Sequence, residues 1–356
     1  MTRIDQVIPA IIEHDAVSNH TFEAQRLLLE MGYDSEIYAS IIGPGTEGRV
    51  RPITELPDGG REWLLYQCSI GSPVAERVMA HRGPTMLDYH NITPAHLVER
   101  WIPPLGEESR LGRAQLVRLA SSVRGSFADS QFNADELASF GFAAPSVVPV
   151  LVEAANRETP PDPAMLERLH TVPGSKWLFV GQVAPHKAQH DLVMAFAAFR
   201  ELYDPDAKLW LVGREMGHAY RAALDRFVRA LGLGAAVTMT GSVPVAQLAA
   251  YFEAADVFVC LSDHEGFCAP VIESMARGLP VVAHAAAALP STVGDGGVLL
   301  SGKDPALVAA AVHELLSDAA IRAGLIARGH ERASELSLDG ARVAFRTAIS
   351  RVVDGG

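Results

Sequence analysis

Cysteine is scarce in this sequence, and a long apolar run is missing. The three cysteines, Cys68, Cys260 and Cys268, are odd in number and irregularly spaced, which argues against a disulfide framework and against a zinc site. No run of about eighteen apolar residues occurs, and the opening residues lack a basic segment followed by an apolar one. These gaps predict a cytoplasmic protein that is neither secreted nor anchored by a membrane span.

A surplus of basic residues is also missing, because the formal net charge is -12 at pH 7. Nucleic acids and anionic membranes attract surfaces rich in Lys and Arg, so we expect no nucleic-acid partner and at most a peripheral membrane contact. Apolar residues make up 49% and charged residues 20%, which is ordinary for a folded globular protein. The composition therefore favours a small ligand that is recognised locally.

Strand-like and helix-like segments alternate along both halves of the chain. A length of 356 residues predicts two domains, and alternation of this kind is typical of parallel α/β sheets. We predict two doubly wound, Rossmann-like α/β domains that face a cleft, with ligands outside the carboxyl ends of the strands. The predicted strands that follow the first helix pattern include residues 62–68, 84–90, 125–130, 146–153, 176–181, 207–213, 235–241, 256–262 and 279–284.

The predicted domains cover residues 1–157 and 168–336. A stretch with three prolines, residues 158–166, has no apolar periodicity and is interpreted as the linker between them. A helical pattern near the C-terminus is expected to pack, over residues 337–356, back onto the first domain.

Two glutamates lie eight positions apart in "HEGFCAPVIESMARGLPVVAH", residues 264–284. A buried strand precedes the segment, and a helix follows with Pro270 in its first turn and Gly278 at its end. Glu265 then lies in a loop at the sheet edge, and Glu273 lies one turn into the helix, whose free N–H groups favour an oxygen-rich or anionic ligand. Ionised carboxylates suit vicinal hydroxyls, so the pair indicates a ligand with the chemistry of a sugar ring and a ribose.

A longer form of this segment, "SDHEGFCAPVIESMARGLPVVA", resembles the E-x7-E region of retaining GT-B glycosyltransferases, particularly family 4. The similarity continues upstream in the family's order through "LFVGQVAPHKAQHDLVMAF", "KLWLVG" and "VTMTGSVPVAQLAAYFEAADVFVCLS". In the first half it rests on "HDAVSNH", "LDYHN" and "ADSQFNADEL". The resemblance implies a retaining hexosyltransferase that moves a sugar from a nucleotide sugar, GDP- or UDP-hexose, to a hydroxyl acceptor. It also implies that neither a metal ion nor another cofactor is needed.

The resemblance assigns roles to individual residues. It implies that Glu265 contacts hydroxyls of the donor sugar, that Glu273 contacts the ribose, and that Lys187 neutralises the diphosphate. The implied catalytic residues are His90, Lys187 and Glu265. The implied donor-binding residues are Asp15, Ala16, Gln182, Lys187, Gly241, Ser242, Val243, Glu265, Gly266, Phe267, Cys268, Ala269 and Glu273.

Several of these residues also have a structural interpretation. Glu265 taken alone is typical of a solvated loop, and a histidine that ends a strand, such as His90, is more often structural than catalytic. Cys268 could be a nucleophile, although its place in the segment suggests a small residue near a sugar. Asp204 and Asp206 form a D-x-D pair of the kind that holds a metal, but the proline between them favours a turn.

Two departures from the family pattern leave the function open. Gln182 stands where family members usually carry an arginine, and Asp15 and Ala16 stand where they usually carry glycines. The missing arginine has three explanations: His186 or His264 compensates, the donor is bound loosely or carries less charge, or activity has been lost. The alternatives to a transferase are therefore a GT-B nucleotide-sugar epimerase and a catalytically silent nucleotide-sugar-binding protein. The base, the sugar and the acceptor stay open.

Overall fold

The computed structural model describes residues 2–12, 15–151 and 159–355, which form two compact units. Unit 1 contains the described residues up to 96, residues 104–151, and the described residues from 337 on. Unit 2 contains residues 97–103 and 159–336. The predicted domain boundary at residue 157 lies outside the described residues, as does His14 of the segment "HDAVSNH".

Strands and helices alternate through both units. The strands are β1 (Ile4–Ile11), β2 (Ile37–Ile42), β3 (Arg51–Pro52), β4 (Trp63–Cys68), β5 (Thr85–Tyr89), β6 (Gly125–Ala128), β7 (Ser146–Val147), β8 (Lys176–Val180), β9 (Lys208–Val212), β10 (Val237–Gly241), β11 (Val257–Cys260), β12 (Val281–His284) and β13 (Val298–Leu300). The helices are α1 (Ala16–Glu30), α2 (Pro73–Met79), α3 (Pro103–Leu119), α4 (Gln131–Ser139), α5 (Pro163–His170), α6 (Gln189–Leu202), α7 (His218–Ala230), α8 (Val245–Ala254), α9 (Ala269–Ala276), α10 (Leu289–Val293), α11 (Pro305–Ser317), α12 (Ala319–Glu335) and α13 (Leu338–Asp354). Within the described ranges, none of the helices combines the length and the apolar character that a bilayer span requires.

Unit 1 is built on a parallel sheet with the strand order β3-β2-β1-β4-β5-β6-β7. The chain runs outward from β1 to β3 and then returns to the other side of β1 to continue with β4. Open α/β sheets bind ligands at such a reversal, outside the carboxyl ends of the two central strands. In unit 1 this position is the edge where β1 and β4 end.

Unit 2 repeats this plan with the parallel strand order β10-β9-β8-β11-β12-β13. Its reversal lies between β8 and β11. The residues of β11 are all buried, as expected of a strand that helices cover on both faces. The predicted fold, two doubly wound, Rossmann-like α/β domains, is therefore confirmed for each unit.

The prediction of a linker over residues 158–166 was wrong for residues 163–166, because α5 begins at Pro163. Asp162 caps this helix by accepting a hydrogen bond from the backbone N–H of Met165 at 2.8 Å. Pro163 occupies the first turn, where an N–H has no partner within the helix in any case. An Asp-Pro pair that starts a helix therefore resembles a linker when only its composition is considered.

Strand β1 was not predicted, because Asp5, Gln6 and Pro9 interrupt its apolar run. The structure buries the first two and provides each with a partner. The carboxylate of Asp5 accepts a hydrogen bond from the N–H of Glu36 at 3.0 Å, and the amide of Gln6 donates to the carbonyl of Thr21 at 3.1 Å. Polar residues are tolerated in a central strand when their hydrogen bonds are satisfied.

Helix α13 contributes to the core of unit 1. Phe345 and Ile349 are buried in one cluster with Leu27 of α1 and Phe127 of β6. The same helix exposes Val343, of which 65% is accessible to solvent. The last helix therefore completes the hydrophobic core that the first strands and helix begin.

We expect Phe345→Ala to lower the free energy of unfolding by about 3–5 kcal/mol, because it removes buried apolar area and leaves a cavity. Val343→Ala, on the exposed face of the same helix, should change it by less than about 0.5 kcal/mol. Urea unfolding followed by circular dichroism measures both variants. Equal losses would contradict the buried position of Phe345.

Candidate active site

The reversal in unit 2 brings Lys187 and Glu265 together. Lys187 follows β8 and Glu265 follows β11, and these strands are hydrogen-bonded neighbours. The Lys187 Nζ donates to Glu265 Oε2 at 2.6 Å, with 18% of the lysine side chain and 6% of the glutamate side chain exposed. Burial works against the charged form of Lys187, but the charge and hydrogen bond of Glu265, together with the effects of Cys268 and Cys260, raise the pKa of the lysine above its ordinary value. The two residues therefore form a buried ion pair.

The loop that carries Glu265 is held on both sides. Its Asp263 N–H donates to the carbonyl of His186 at 2.8 Å, which joins the loops after β8 and β11. The Glu265 carbonyl accepts from the N–H of Ala288 at 3.2 Å. Lys303 adds a further link, because its ammonium contacts the carboxylates of both Asp263 and Asp191. These contacts hold the loop in place without using the charged groups of Lys187 and Glu265.

Helices α6 and α9 begin at this edge on residues with left-handed backbone. Ala188 precedes α6 with φ +50°, and Cys268 precedes α9 with φ +69°. A non-glycine residue in this region costs about 1–2 kcal/mol, and such residues are concentrated at functional sites. Here the backbone strain at Ala188 and Cys268 occurs where two helix N-termini begin beside the ion pair, each of them the positive end of a helix dipole.

Glu273 lies in the second turn of α9 and is 7% exposed. With Glu265 equally buried, neither glutamate is the solvated surface carboxylate that its residue type alone would suggest. Buried carboxylates are found where they have partners or a function. The structure thus places both predicted glutamates in one unit, in the loop and the helix that follow β11.

Cys268 is a neutral thiol. Its hydrogen bond with Cys260, its burial and the nearby charge of Glu265 all hold its pKa well above the ordinary value. Nucleophilic cysteines need the opposite, a lowered pKa. Gly266 and Phe267 of this loop and Ala269, the first residue of α9, are half-buried. The Phe267 carbonyl accepts a hydrogen bond from Thr292 Oγ1 at 2.6 Å.

The other predicted residues of unit 2 lie along the same sheet edge. Gln182 follows β8, and its carbonyl accepts a hydrogen bond from Gln189 Nε2 at 2.8 Å. Gly241 ends β10, and Ser242 and Val243 follow it. Since β10 is separated from β8 by one strand, these residues lie about 10 Å further along the edge. All the predicted donor-binding residues of unit 2 therefore share the carboxyl edge of one sheet.

In unit 1, His90 directly follows β5 and uses both ring nitrogens inside the protein. Its Nδ1 lies 3.0 Å from Asp129 Oδ1, and its Nε2 lies 2.6 Å from Gln67 Oε1. The orientation of the Gln67 amide follows from its partners, because its Nε2 donates to Gln6 Oε1, and Gln6 Nε2 donates in turn to the carbonyl of Thr21. Gln67 Oε1 must then accept, and both nitrogens of His90 carry protons.

The charge of His90 agrees with its surroundings. Burial opposes the imidazolium, but Asp129 and Asp88 outweigh this and raise the pKa of His90 to about 9. A second histidine, His20, accepts at Nδ1 from the Leu151 N–H at 2.9 Å and so donates from Nε2 to Asp88 at 3.0 Å. With 1% of its side chain exposed, His90 has no free nitrogen to act as a base.

The other predicted residues of unit 1, Asp15 and Ala16, lie at the end of β1, where α1 begins. Asp15 is the N-cap, and its carboxylate accepts a hydrogen bond from the N–H of Ser18 at 3.1 Å. The negative charge of Asp15 also contributes to the raised pKa of His90, after the effects of burial, Asp129 and Asp88. Asp15, Ala16 and His90 therefore lie at one edge of unit 1.

Sequence reasoning did not identify the polar residues that support these groups. Gln6, Gln67 and Asp88 lie in the middle or at the end of central, apolar strands and are fully buried. A polar residue inside such a run is the signal that was available, because burial of an unpaired polar group is costly. Lys303 gave no comparable signal, since its partners are distant in sequence.

Two groups of possible metal ligands occur within the described ranges, and each is occupied by protein contacts. The first consists of His20, His90 and Asp129, and the second of Cys260, Glu265 and Cys268. Both histidines of the first group use their ring nitrogens for the hydrogen bonds described above. Glu265 of the second group is paired with Lys187. The D-x-D pair is a turn, as predicted, in which Asp204 accepts a hydrogen bond from the N–H of Asp206 at 3.0 Å.

Solved structures share this two-unit plan along nearly the whole chain. HepE of Anabaena, in complex with UDP and glucose, superposes with a TM-score of 0.78 at 16% identity and covers 98% of this chain and 99% of its own. Sucrose-phosphate synthase from Thermosynechococcus elongatus gives 0.76 at 17% identity, over 99% of this chain and 100% of its own. The fold is GT-B.

Sequence relatives define the family. A model described as "Glycosyl transferases group 1" matches residues 172–332. The D-inositol 3-phosphate glycosyltransferase of Thermobifida fusca is 31% identical over 306 residues, which cover 81% of this chain and 68% of the relative. The enzyme of the same name from Frankia alni is 32% identical over 295 residues, which cover 76% and 68%. The chain belongs to the group 1 family of glycosyl transferases.

We expect the Lys187–Glu265 pair to be strongly coupled. Lys187→Met leaves a buried carboxylate unpaired and should lower the free energy of unfolding by about 2–4 kcal/mol. The double variant Lys187→Met/Glu265→Gln should lose less than the sum of the single variants by about 1–3 kcal/mol. Urea unfolding of the four proteins measures this coupling.

The control for this cycle is the more exposed pair of Arg221 and Asp225 in α7, at 3.1 Å. Its coupling in Arg221→Met and Asp225→Asn should not exceed about 0.5 kcal/mol. Additive losses at Lys187 and Glu265 would show that the buried contact does not form in solution.

Stability should fall as the pH rises from about 6.5 to about 9, because His90 binds its proton more tightly in the folded than in the unfolded state. Protonated His90 contributes its full stabilisation below the pKa that the residue has in the unfolded state. This stabilisation, up to about 3 kcal/mol in total, is lost as the pH rises through the pKa of the folded state. Unfolding free energies measured along this range should show the loss. His90→Gln should flatten the profile, whereas the exposed His96→Gln should leave it unchanged.

Proposed function

We propose that this protein is a retaining glycosyltransferase that moves a hexosyl group from a nucleotide sugar to a hydroxyl acceptor. The observation that carries the proposal is the buried pair of Lys187 and Glu265 at the reversal of the unit 2 sheet, where α6 and α9 also begin. Membership of the group 1 family supports it. In this proposal unit 2 binds the donor and unit 1 binds the acceptor.

The charges of unit 2 suit the departure of a nucleoside diphosphate. As the bond from the sugar to the phosphate breaks, negative charge grows on the leaving oxygen, and fixed positive groups stabilise that change. Lys187 stays an ammonium ion because, despite burial, Glu265 together with Cys268 and Cys260 holds its pKa above the ordinary value. The N-termini of α6 and α9 add backbone dipoles of the same sign. Glu265 and Glu273 supply carboxylate oxygens for sugar and ribose hydroxyls.

The protonation states favour attack on the face from which the phosphate leaves. Glu265 is engaged with Lys187 and Cys268 is a neutral thiol, so neither is a good nucleophile for a covalent intermediate. His90 holds a proton on both nitrogens and cannot accept one from the acceptor. We therefore propose that the acceptor oxygen bonds to the anomeric carbon while its proton passes to the leaving phosphate oxygen. This route retains the anomeric configuration and uses no metal ion.

Names of the similar proteins suggest which substrates to test first. HepE structures hold UDP, UDP-glucose, or UDP with glucose, which places UDP-hexoses beside GDP-hexoses as candidate donors. The relatives named for D-inositol 3-phosphate make a phosphorylated polyol a reasonable first acceptor.

We expect one class of UDP-, GDP-, ADP- or CMP-sugar to raise the melting temperature of the protein. A ligand at a hundred times its Kd stabilises the native state by about 2.7 kcal/mol. Glu273→Gln should weaken binding of that donor by about 10- to 100-fold, because it removes a charged hydrogen-bond acceptor. Glu253→Gln, on the exposed surface of α8, should not change it.

The products of the reaction distinguish a retaining transferase from an epimerase and from a silent binding protein. Product formed from an α-linked donor should carry an α linkage in its proton NMR spectrum, and a β product would refute retention. Interconversion of the donor sugar without an acceptor would instead indicate an epimerase. Donor binding with neither transfer nor hydrolysis would indicate a silent binding protein.

A further inference from the structure

The loop after β8 carries little net positive charge for a diphosphate ligand. Lys187 is paired with Glu265, and Gln182 is neutral. Burial and the nearby charge of Lys187 hold the pKa of His186 well below its ordinary value, so this ring is also neutral. His186 therefore does not replace the charge of an arginine at position 182. A diphosphate bound at this edge calls for another cation.

Arg214 lies beside Gln182 on the neighbouring strand extension. Strands β8 and β9 pair Val180 with Val212, and the same register continues beyond their ends to an isolated parallel bridge at Val183. The Val183 N–H donates to the carbonyl of Arg214 at 2.9 Å. In this register, positions 182 and 214 are therefore opposite each other.

Gly213 allows this close approach. Its φ is +145°, and a Cβ at this position would lie 2.0 Å from the carbonyl oxygen of Gly181. Any other residue would push the two chain segments apart. The glycine thus keeps Arg214 next to Gln182, at the carboxyl edge where the loop of Lys187 begins.

The guanidinium of Arg214 is exposed, and no described residue forms a hydrogen bond or an ion pair with it. The carboxylate of the next residue, Glu215, is near His218 instead, with 3.8 Å between Glu215 Oε1 and His218 Nδ1. Arg221, one turn into α7, is by contrast paired with Asp225. An arginine matches two phosphate oxygens with parallel hydrogen bonds, so Arg214 has both the charge and the free donors that this edge otherwise lacks.

We propose that Arg214 binds the diphosphate of the donor and supplies the positive charge that Gln182 does not. The inference rests on the proposed function, because it adds a residue to the same donor site. It also explains how a chain with Gln182 retains a diphosphate site: the arginine is carried by the extension of the neighbouring strand β9, at the position opposite Gln182.

Calorimetric titration of UDP, GDP and ADP, and of the matching nucleosides, tests this role. For the diphosphate that binds most tightly, Arg214→Gln should weaken binding by about 10- to 100-fold while the nucleoside changes less than about twofold. Arg229→Gln is the matched control, because Arg229 is exposed in the last turn of the same α7 and should have no effect. Gln182→Arg added to Arg214→Gln should restore diphosphate binding.

The outcomes separate this inference from the function on which it rests. If the wild-type protein binds none of the diphosphates, both the proposed function and the role of Arg214 fail. If it binds one and Arg214→Gln binds it within about twofold, the role of Arg214 alone is overturned. Equal weakening of diphosphate and nucleoside would also overturn it, since a phosphate contact cannot act on a ligand without phosphate.

Discussion

Parallel hydrogen bonding between β8 and β11 is the constraint on which the candidate site depends. It pairs Trp177 with Val257 and Leu178 with Phe258, residues that are far apart in sequence. Since parallel strands end at the same edge, the loops after them become neighbours, and Lys187 meets Glu265 there. Two helix starts and the ion pair then lie at the point where the strand order reverses, and the extension that carries Arg214 lies next to them, after β9. The topology thus brings the residues of the candidate site to one edge of the sheet.

The buried charged groups of the two units differ in their partners and in their exposure. In unit 1, His90 is enclosed by Asp129, Asp88 and Gln67, and every proton on its ring is used within the protein. Such a closed network fixes structure and contributes a field, but it offers no lone pair to a reactant. In unit 2, the Lys187 ammonium is paired with Glu265, while 18% of the lysine side chain stays exposed. The chemistry we propose therefore relies on the phosphate of the substrate to take up a proton.

Much of the fold was predictable because buried parallel strands are near-continuous apolar runs with helical patterns between them. The helix over 269–276 follows from Pro270 and Gly278, and its place after β11 follows from the order of elements. The prediction failed where local composition conflicts with packing. Strand β1 contains polar residues whose partners lie in other elements, and α5 begins inside a proline-rich stretch. The roles given to the site residues, including the one given to His90, stay predictions.

The sequence by itself determined the alternation of elements, the two-domain plan and the segment in which two acidic residues lie beside a helix start. These are properties of neighbouring residues, and propensity, periodicity and capping are local. Only the tertiary structure decided that Lys187 neutralises Glu265, that both nitrogens of His90 are protonated, and that Arg214 lies opposite Gln182. Each depends on strand order, register or burial, which are set by residues distant along the chain and so have no local signature.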